Sequence, residues 1–125
     1  MGIVGVTGQV LELHRTGKMR VLAVTSPARL TAAPELPTAA EAGLPGLTVT
    51  ASLGLLAPSG TPAPVIEQIA QATRTALAEP AYQQSLIEGG SEPSLDSNPE
   101  KFRQSLAADV ALWAPVVKSL GLKLD

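Results

Sequence analysis

The sequence predicts an α/β fold, and three observations carry that prediction. A helix-spaced segment at 9–16 is followed by a polar turn and then by Val21-Leu22-Ala23-Val24-Thr25. A continuous apolar run of that length fits a strand buried on both faces of a parallel sheet. Residues 44–62, LPGLTVTASLGLLAPSGTP, hold the clearest β signal, alternating Thr and Val before Leu-Gly-Leu-Leu-Ala and a stop at Pro58. Everything after Pro62 reads as helices.

A chain of 125 residues with 45% apolar content suits one domain with a real core. Aromatic residues make up only 2% (Trp113, Tyr82 and Phe102), so packing rests on Ala, Leu and Val. The net charge is −2 and no basic cluster occurs, which argues against nucleic acid as a partner. Without cysteine there is neither a disulfide frame nor a Cys-ligated metal. No apolar run approaches the ~18–20 residues that span a bilayer. The N-terminus, Met1-Gly-Ile-Val-Gly-Val-Thr-Gly, lacks the charged region and cleavage site of a signal peptide. The chain as it stands reads as soluble, with no export signal of its own.

Residues 1–8 form a Gly-rich loop that opens onto the first helix. Gly5-Val6-Thr7-Gly8 places backbone N–H groups and the Thr7 hydroxyl at a helix N-terminus. Such an end attracts anions, because its first N–H groups lack partners and the dipole is positive there. A capping turn with no ligand is the alternative reading. The loop is not a P-loop and does not make GxGxxG. In QVLELHRT (9–16), Val10, Leu11 and His14 fall on helical spacing and Gly17 is a C-terminal stop. His14 is the sole histidine and cannot anchor a His-rich metal site, so it reads as a surface or half-buried helix residue.

The helix, turn and strand at 9–25 make half of a βαβ unit whose first strand is missing. Thr25 and Ser26 lie at the carboxyl end of the predicted strand, where ligands gather in open α/β sheets, and they are candidates for a cleft. Ordinary turn hydroxyls are the competing reading. ARLTAAPELP (28–37) reads as a loop. Thr38 is expected to cap a short helix, AAEAG, with Glu41 as its capping-box partner and Gly43 as its stop.

Beyond Pro62 the spacing predicts a helix over 64–79, with an apolar stripe of Val65, Ile66, Ile69, Ala72, Thr73, Ala76 and Leu77. Pro80 starts a shorter helix ended by Gly89-Gly90, and SEPSLDS (91–97) reads as briefly extended. Asn98 caps a third helix with Pro99 at its first position. Phe102, Leu106, Val110 and Trp113 stripe that helix, and Pro115 is expected to kink or end it before a final turn. All these stripes are expected to face a core.

The order of landmarks then resembles a known family. RTGKMRVLAVTS at 15–26 looks like that family's "aGKlRaLAVtS", and LPTAAEAGLPG at 36–46 is similar to its "vPTvaEaGlPG". LLAPSGTP at 55–62 matches "lfAPaGTP", and Trp113 to Lys118 followed by GLKLD at 121–125 resembles "W..vvk..GiklD". These are motifs of the periplasmic solute-binding receptors of the tripartite tricarboxylate transporter family, the TctC or Bug group. The resemblance implies a partial type II periplasmic-binding-protein-like fold and a C-terminal portion of a longer protein. It implies that 1–47 is the remainder of a second lobe, 48–57 a crossing strand or hinge, and 58–125 the C-terminal helical part of the first lobe. It also implies ligand contacts at Gly5, Val6 and Thr7 and at the crossing strand near Ser52. Many members place aromatic residues just before "GLfAP", where this sequence has Ser52-Leu53.

The expectation is therefore an extracytoplasmic protein that captures a small carboxylate for membrane transporter subunits, periplasmic by resemblance. It is expected to use no cofactor and no metal and to perform no catalysis, since no nucleophile–base pair or paired carboxylate motif occurs. The alternative is a fragment that acts only as a self-associating module, a homodimer formed by element swapping. An enzyme built on Glu41 or His14 is a distant third.

Overall fold

A computed structural model describes residues 2–121. Met1 and the last four positions of the expected GLKLD ending, 122–125, lie outside the described residues. The helices are α1 (Gly8–Arg15), α2 (Ala63–Ala78), α3 (Pro80–Glu88) and α4 (Pro99–Ser119). The chain divides into two units, Met1–Leu53 with Thr75–Leu95 and Gly54–Arg74 with Asp96–Asp125, the division running through α2.

In the first unit, α1 starts where the sequence places a cap. Thr7 has extended backbone, and its Oγ1 accepts from the Val10 N–H at 3.4 Å. The helix stops at Gly17, whose φ of 74° is the left-handed conformation that glycine adopts without a Cβ penalty. Leu11 is its buried residue, 2% exposed, and it joins Val24, Leu30, Ala33 and Leu36 in a small core. Val6, Val21 and Ala32 pack against that core. Three of its five members come from the loop after Pro27, where Ala33 N–H donates to Leu30 O and Leu36 N–H to Ala33 O, both at 3.1 Å. The loop thus folds inward as consecutive turns.

The predicted strand at 21–25 is corrected. Val24 makes one isolated parallel bridge with Thr38, its N–H donating to Pro37 O at 2.9 Å and its O accepting from Ala39 N–H at 2.7 Å. Val24 is buried but Leu22 is 58% exposed, so the run is not covered on both faces. Among the described residues the segment 48–57 has no strand partner either; Val49 N–H donates to Thr25 O at 2.9 Å and Val49 O accepts from Thr25 Oγ1 at 2.7 Å. A strand exists through its neighbours' N–H and C=O groups. Among the described residues no neighbour provides a ladder to either run.

Residues 39–43 form overlapping hydrogen-bonded turns rather than the expected short helix. Ala42 N–H donates to Thr38 O at 3.0 Å, and Gly43, at φ 93°, followed by Pro45, prevents continuation. The capping box itself forms, as described below. In α3, Pro80 occupies the first turn and Gly89 and Gly90 close the helix, as expected, with Gly90 at φ 88°.

In the second unit, the Asn98 side chain caps α4, its Oδ1 accepting from Lys101 N–H at 2.9 Å, with Pro99 in the first turn. Arg103 and then Gln104 donate to the Glu100 carboxylate and hold its pKa below the ordinary glutamate range. Pro115 does not end the helix, which runs on to Ser119. Proline's fixed φ is itself helical, so one lost backbone hydrogen bond near the C-terminus interrupts α4 without terminating it. The expectation that the helix stripes face a core is not met, since α2, α3 and α4 contain no buried residue. Leu106 is 44%, Val110 61% and Trp113 41% exposed.

Candidate functional site

All six residues singled out as ligand contacts lie in the first unit. The segment Gly5-Val6-Thr7 enters α1 beside the C-terminal end of α3. Gly8 N–H donates to Gly89 O at 3.1 Å, and a Cβ at Gly8 would fall 2.6 Å from Glu88 O. A Cβ at Gly90 would come within 2.9 Å of Val6 O. Two helix ends therefore meet through glycine, positive end to negative end, and each satisfies part of the other. Leu11 N–H donates to Thr7 O, and Val10 N–H to Thr7 Oγ1. Gly8, Val10 and Leu11 are thus already engaged at the start of α1. Gly5 is exposed and nothing lies within 4 Å of a Cβ placed on it, whereas Val6 is half-buried against the core.

Thr25 and Ser26 follow the Val24 bridge. Thr25 Oγ1 donates to Val49 O at 2.7 Å while Thr25 O accepts from Val49 N–H, so one residue grips another in both directions. Ser26 Oγ donates to Ala28 O at 2.6 Å, two residues on. Both hydroxyls are committed to backbone carbonyls, and their oxygens retain acceptor capacity. Ser52 lies three residues beyond Val49 and is exposed. The structure thus brings Thr25, Ser26 and the start of the 48–57 segment together through the Thr25–Val49 pair. Val6 joins them indirectly, since its side chain packs on the core cluster that contains Val24.

Sequence reasoning missed a polar frame around the loop at 28–36. Thr31 N–H and Oγ1 donate to the two carboxylate oxygens of Glu92, at 2.7 and 2.9 Å, across 61 positions. Arg15 donates to Ala32 O at 2.6 Å, and Arg29 to Pro34 O at 3.0 Å and to Glu41. A cavity of about 380 Å³ lies beside this frame, lined by Leu11, Arg15, Thr31, Ala32, Gln84 and residues 87–88. None of the six expected contact residues lines it. No local periodicity connects Thr31 to Glu92, so only the fold reveals the pair.

His14 is half-buried, as expected for a helix histidine, and its Nδ1 accepts from Val21 N–H at 3.3 Å. That bond ties α1 to the run that follows it. Among the described residues no group of three His, Cys, Asp or Glu side chains is placed to hold a metal ion. Among them, too, no helix is long and apolar enough to cross a membrane.

The profile of a family described as "Tripartite tricarboxylate transporter family receptor" matches residues 3–122. The chain is similar to Protein BugT of Bordetella pertussis, at 33% identity over 115 residues that cover 92% of this chain and 35% of that protein. It is also similar to the UPF0065 protein in the TAR-I ttuE-ttuC' intergenic region of Agrobacterium vitis, at 31% identity, covering 86% of this chain and 32% of the relative. Among solved structures it resembles a periplasmic transporter with a TM-score of 0.79 and 34% identity, covering 95% of this chain and 39% of the other. It resembles periplasmic binding protein BugD with a TM-score of 0.76 and 32% identity, covering 91% of this chain and 38% of that one. The chain spans about a third of the length of the curated relatives it matches.

Proposed function

This chain belongs to the tripartite tricarboxylate transporter receptor family, and from that premise we propose that it is part of a periplasmic solute-binding protein that captures a small carboxylate for a transporter of that type. The observation that carries the reading is the family match, which extends over residues 3–122 in one continuous stretch. The solved relative BugD is described as a periplasmic binding protein, which favours binding over catalysis for this chain as well.

In this reading 1–47 belongs to one lobe and 48–57 is the crossing out of it; of the 58–125 portion expected in the other lobe, 75–95 packs with 1–53 instead. The Gly5-Val6-Thr7 entry to α1 contributes to anion binding through the positive end of the helix dipole, and Thr25, Ser26 and Ser52 contribute hydroxyl groups from the neighbouring segments. A carboxylate only accepts hydrogen bonds, so in this reading the Thr25 and Ser26 hydroxyls turn from Val49 O and Ala28 O to donate to it. The membrane subunits of the transporter are the proposed partners.

Calorimetry on a polypeptide that carries the whole family fold, with these 125 residues as its C-terminal part, tests the proposal. The titrants are citrate, dicarboxylates, acidic amino acids and aromatic carboxylates. The expected result is saturable binding of at least one of them, weakened by Ser52→Ala or Thr25→Val. Silence across that panel would sink the assignment.

A further inference from the structure

We propose that the cavity lined by α1, the loop at 28–36 and α3 is a second small-molecule site. It takes a short aliphatic zwitterion, with a carboxylate at one end and an ammonium group at the other. The whole cavity lies within the first unit, and it shares no residue with the six proposed carboxylate contacts. The site is therefore independent of the solute that the transport reading assigns.

Charge sets the class of ligand. Arg15 stands in the last turn of α1 and Glu88 closes α3, and both line the cavity. Among the described residues neither forms an ion pair, with the other or with a third group. One guanidinium N–H donates to Ala32 O at 2.6 Å, and one Glu88 oxygen accepts from Gln84 Nε2 at 2.8 Å. Each charged group is thus held by one neutral partner and keeps further donors or acceptors open. A simple anion would be drawn to Arg15 and repelled by Glu88, and a simple cation the reverse. A zwitterion answers both charges at once.

Shape and lining agree. The volume of about 380 Å³ falls at the small end of the roughly 300–1,000 Å³ range of ligand pockets. Leu11, Ala32 and Ile87 supply apolar lining, and a few convergent polar groups on apolar walls are the usual make-up of such a site. An aliphatic chain against those walls leaves water while its two ends keep charged partners. Arg15 and Glu88 come from different helices and do not pair, so a ligand with separated charges suits them better than one whose charges flank a single carbon. The wall is also fixed in advance. Glu92 clasps Thr31 through its N–H and hydroxyl, and Arg15 ties down the Ala32 carbonyl. A preformed wall lowers the ordering cost of binding.

The test titrates the 125-residue chain with ε-aminocaproate and follows its amides by nuclear magnetic resonance. The expected result is saturable shifts at 31–32 and 84–88. Hexanoate and hexylamine, which each lack one charge, should bind about tenfold more weakly. Glu88→Gln removes the charge and keeps an oxygen that can accept from Gln84, so it is expected to weaken binding about tenfold with the fold intact. Arg15→Met should weaken it by at least as much, since the tie to Ala32 is lost as well. Absence of saturable shifts, equal binding of hexanoate or hexylamine, or indifference to Glu88→Gln would each overturn the proposal. So would shifts confined to 5–7 and 25–26, which would put the ligand at the proposed carboxylate contacts and leave that reading standing.

Discussion

Thr38 and Glu41 hold each other reciprocally: Thr38 N–H donates to Glu41 Oε2 at 2.8 Å, and Glu41 N–H donates to Thr38 Oγ1 at 3.2 Å. The same Thr38 bridges Val24, so the box locks the turn at 39–43 onto the small core of the first unit. Thr38→Ala removes the hydroxyl acceptor and is expected to cost about 1 kcal/mol, within the range of other cap deletions. Thr38→Ser keeps the hydroxyl and should recover most of that loss. Urea unfolding of the three proteins in parallel measures it, and equal midpoints for the Ala and Ser variants would refute the capping role.

The same pair predicts a pH dependence. The Thr38 N–H, and then the Arg29 guanidinium, hold the Glu41 carboxyl below the ordinary glutamate value. A depressed folded-state pKa gives stability that is present above the unfolded value of about 4.3 and disappears as pH falls through the folded value. Glu41→Gln should therefore melt below the parent at neutral pH and coincide with it at the acid end. A gap that persists in acid would assign the effect to packing. Added salt should shrink the gap, since the Arg29–Glu41 pair is solvent-exposed.

Gly8→Ala tests the meeting of α1 and α3. Its Cβ would land 2.6 Å from a backbone carbonyl, which cannot swing aside like a side chain. Overpacking of this kind costs about 1–3 kcal/mol. Gly5→Ala, with nothing within 4 Å, is the control and should change stability by less than about 0.5 kcal/mol. Thermal unfolding separates the two, and comparable shifts would show that the helix ends do not touch closely.

Thr25→Val deletes the hydroxyl that donates to Val49 O while keeping the side chain's shape. The expected loss is about 1 kcal/mol, together with faster amide exchange at Val49, whose N–H donates to Thr25 O. Unchanged protection at Val49 would mean that the segment is held by something else.

Local chemistry was legible and long-range partnership was not. Thr7, Asn98, Gly17, Pro80 and Pro99 marked helix ends correctly, because a cap is satisfied within four residues. Leu30, Ala33 and Leu36 escaped notice as core, since they sit among prolines with neither helical nor strand period. The two β runs carry strand patterning without ladder bonds among the described residues. Ladder bonds need neighbours that sequence periodicity does not identify. Thr7 was legible at the same level as a helix-entry hydroxyl, whereas the Thr31–Glu92 clasp required the fold.

Trp113 is the single tryptophan of the chain and stands 41% exposed on the α4 stripe. Indole emission moves toward the blue when water leaves the ring, and the one tyrosine, Tyr82, is a weaker emitter. The molecule consequently carries one built-in lamp, set on a stripe that the described residues leave partly open to water. Its colour reads out the occupancy of that stripe directly, without any dye or label.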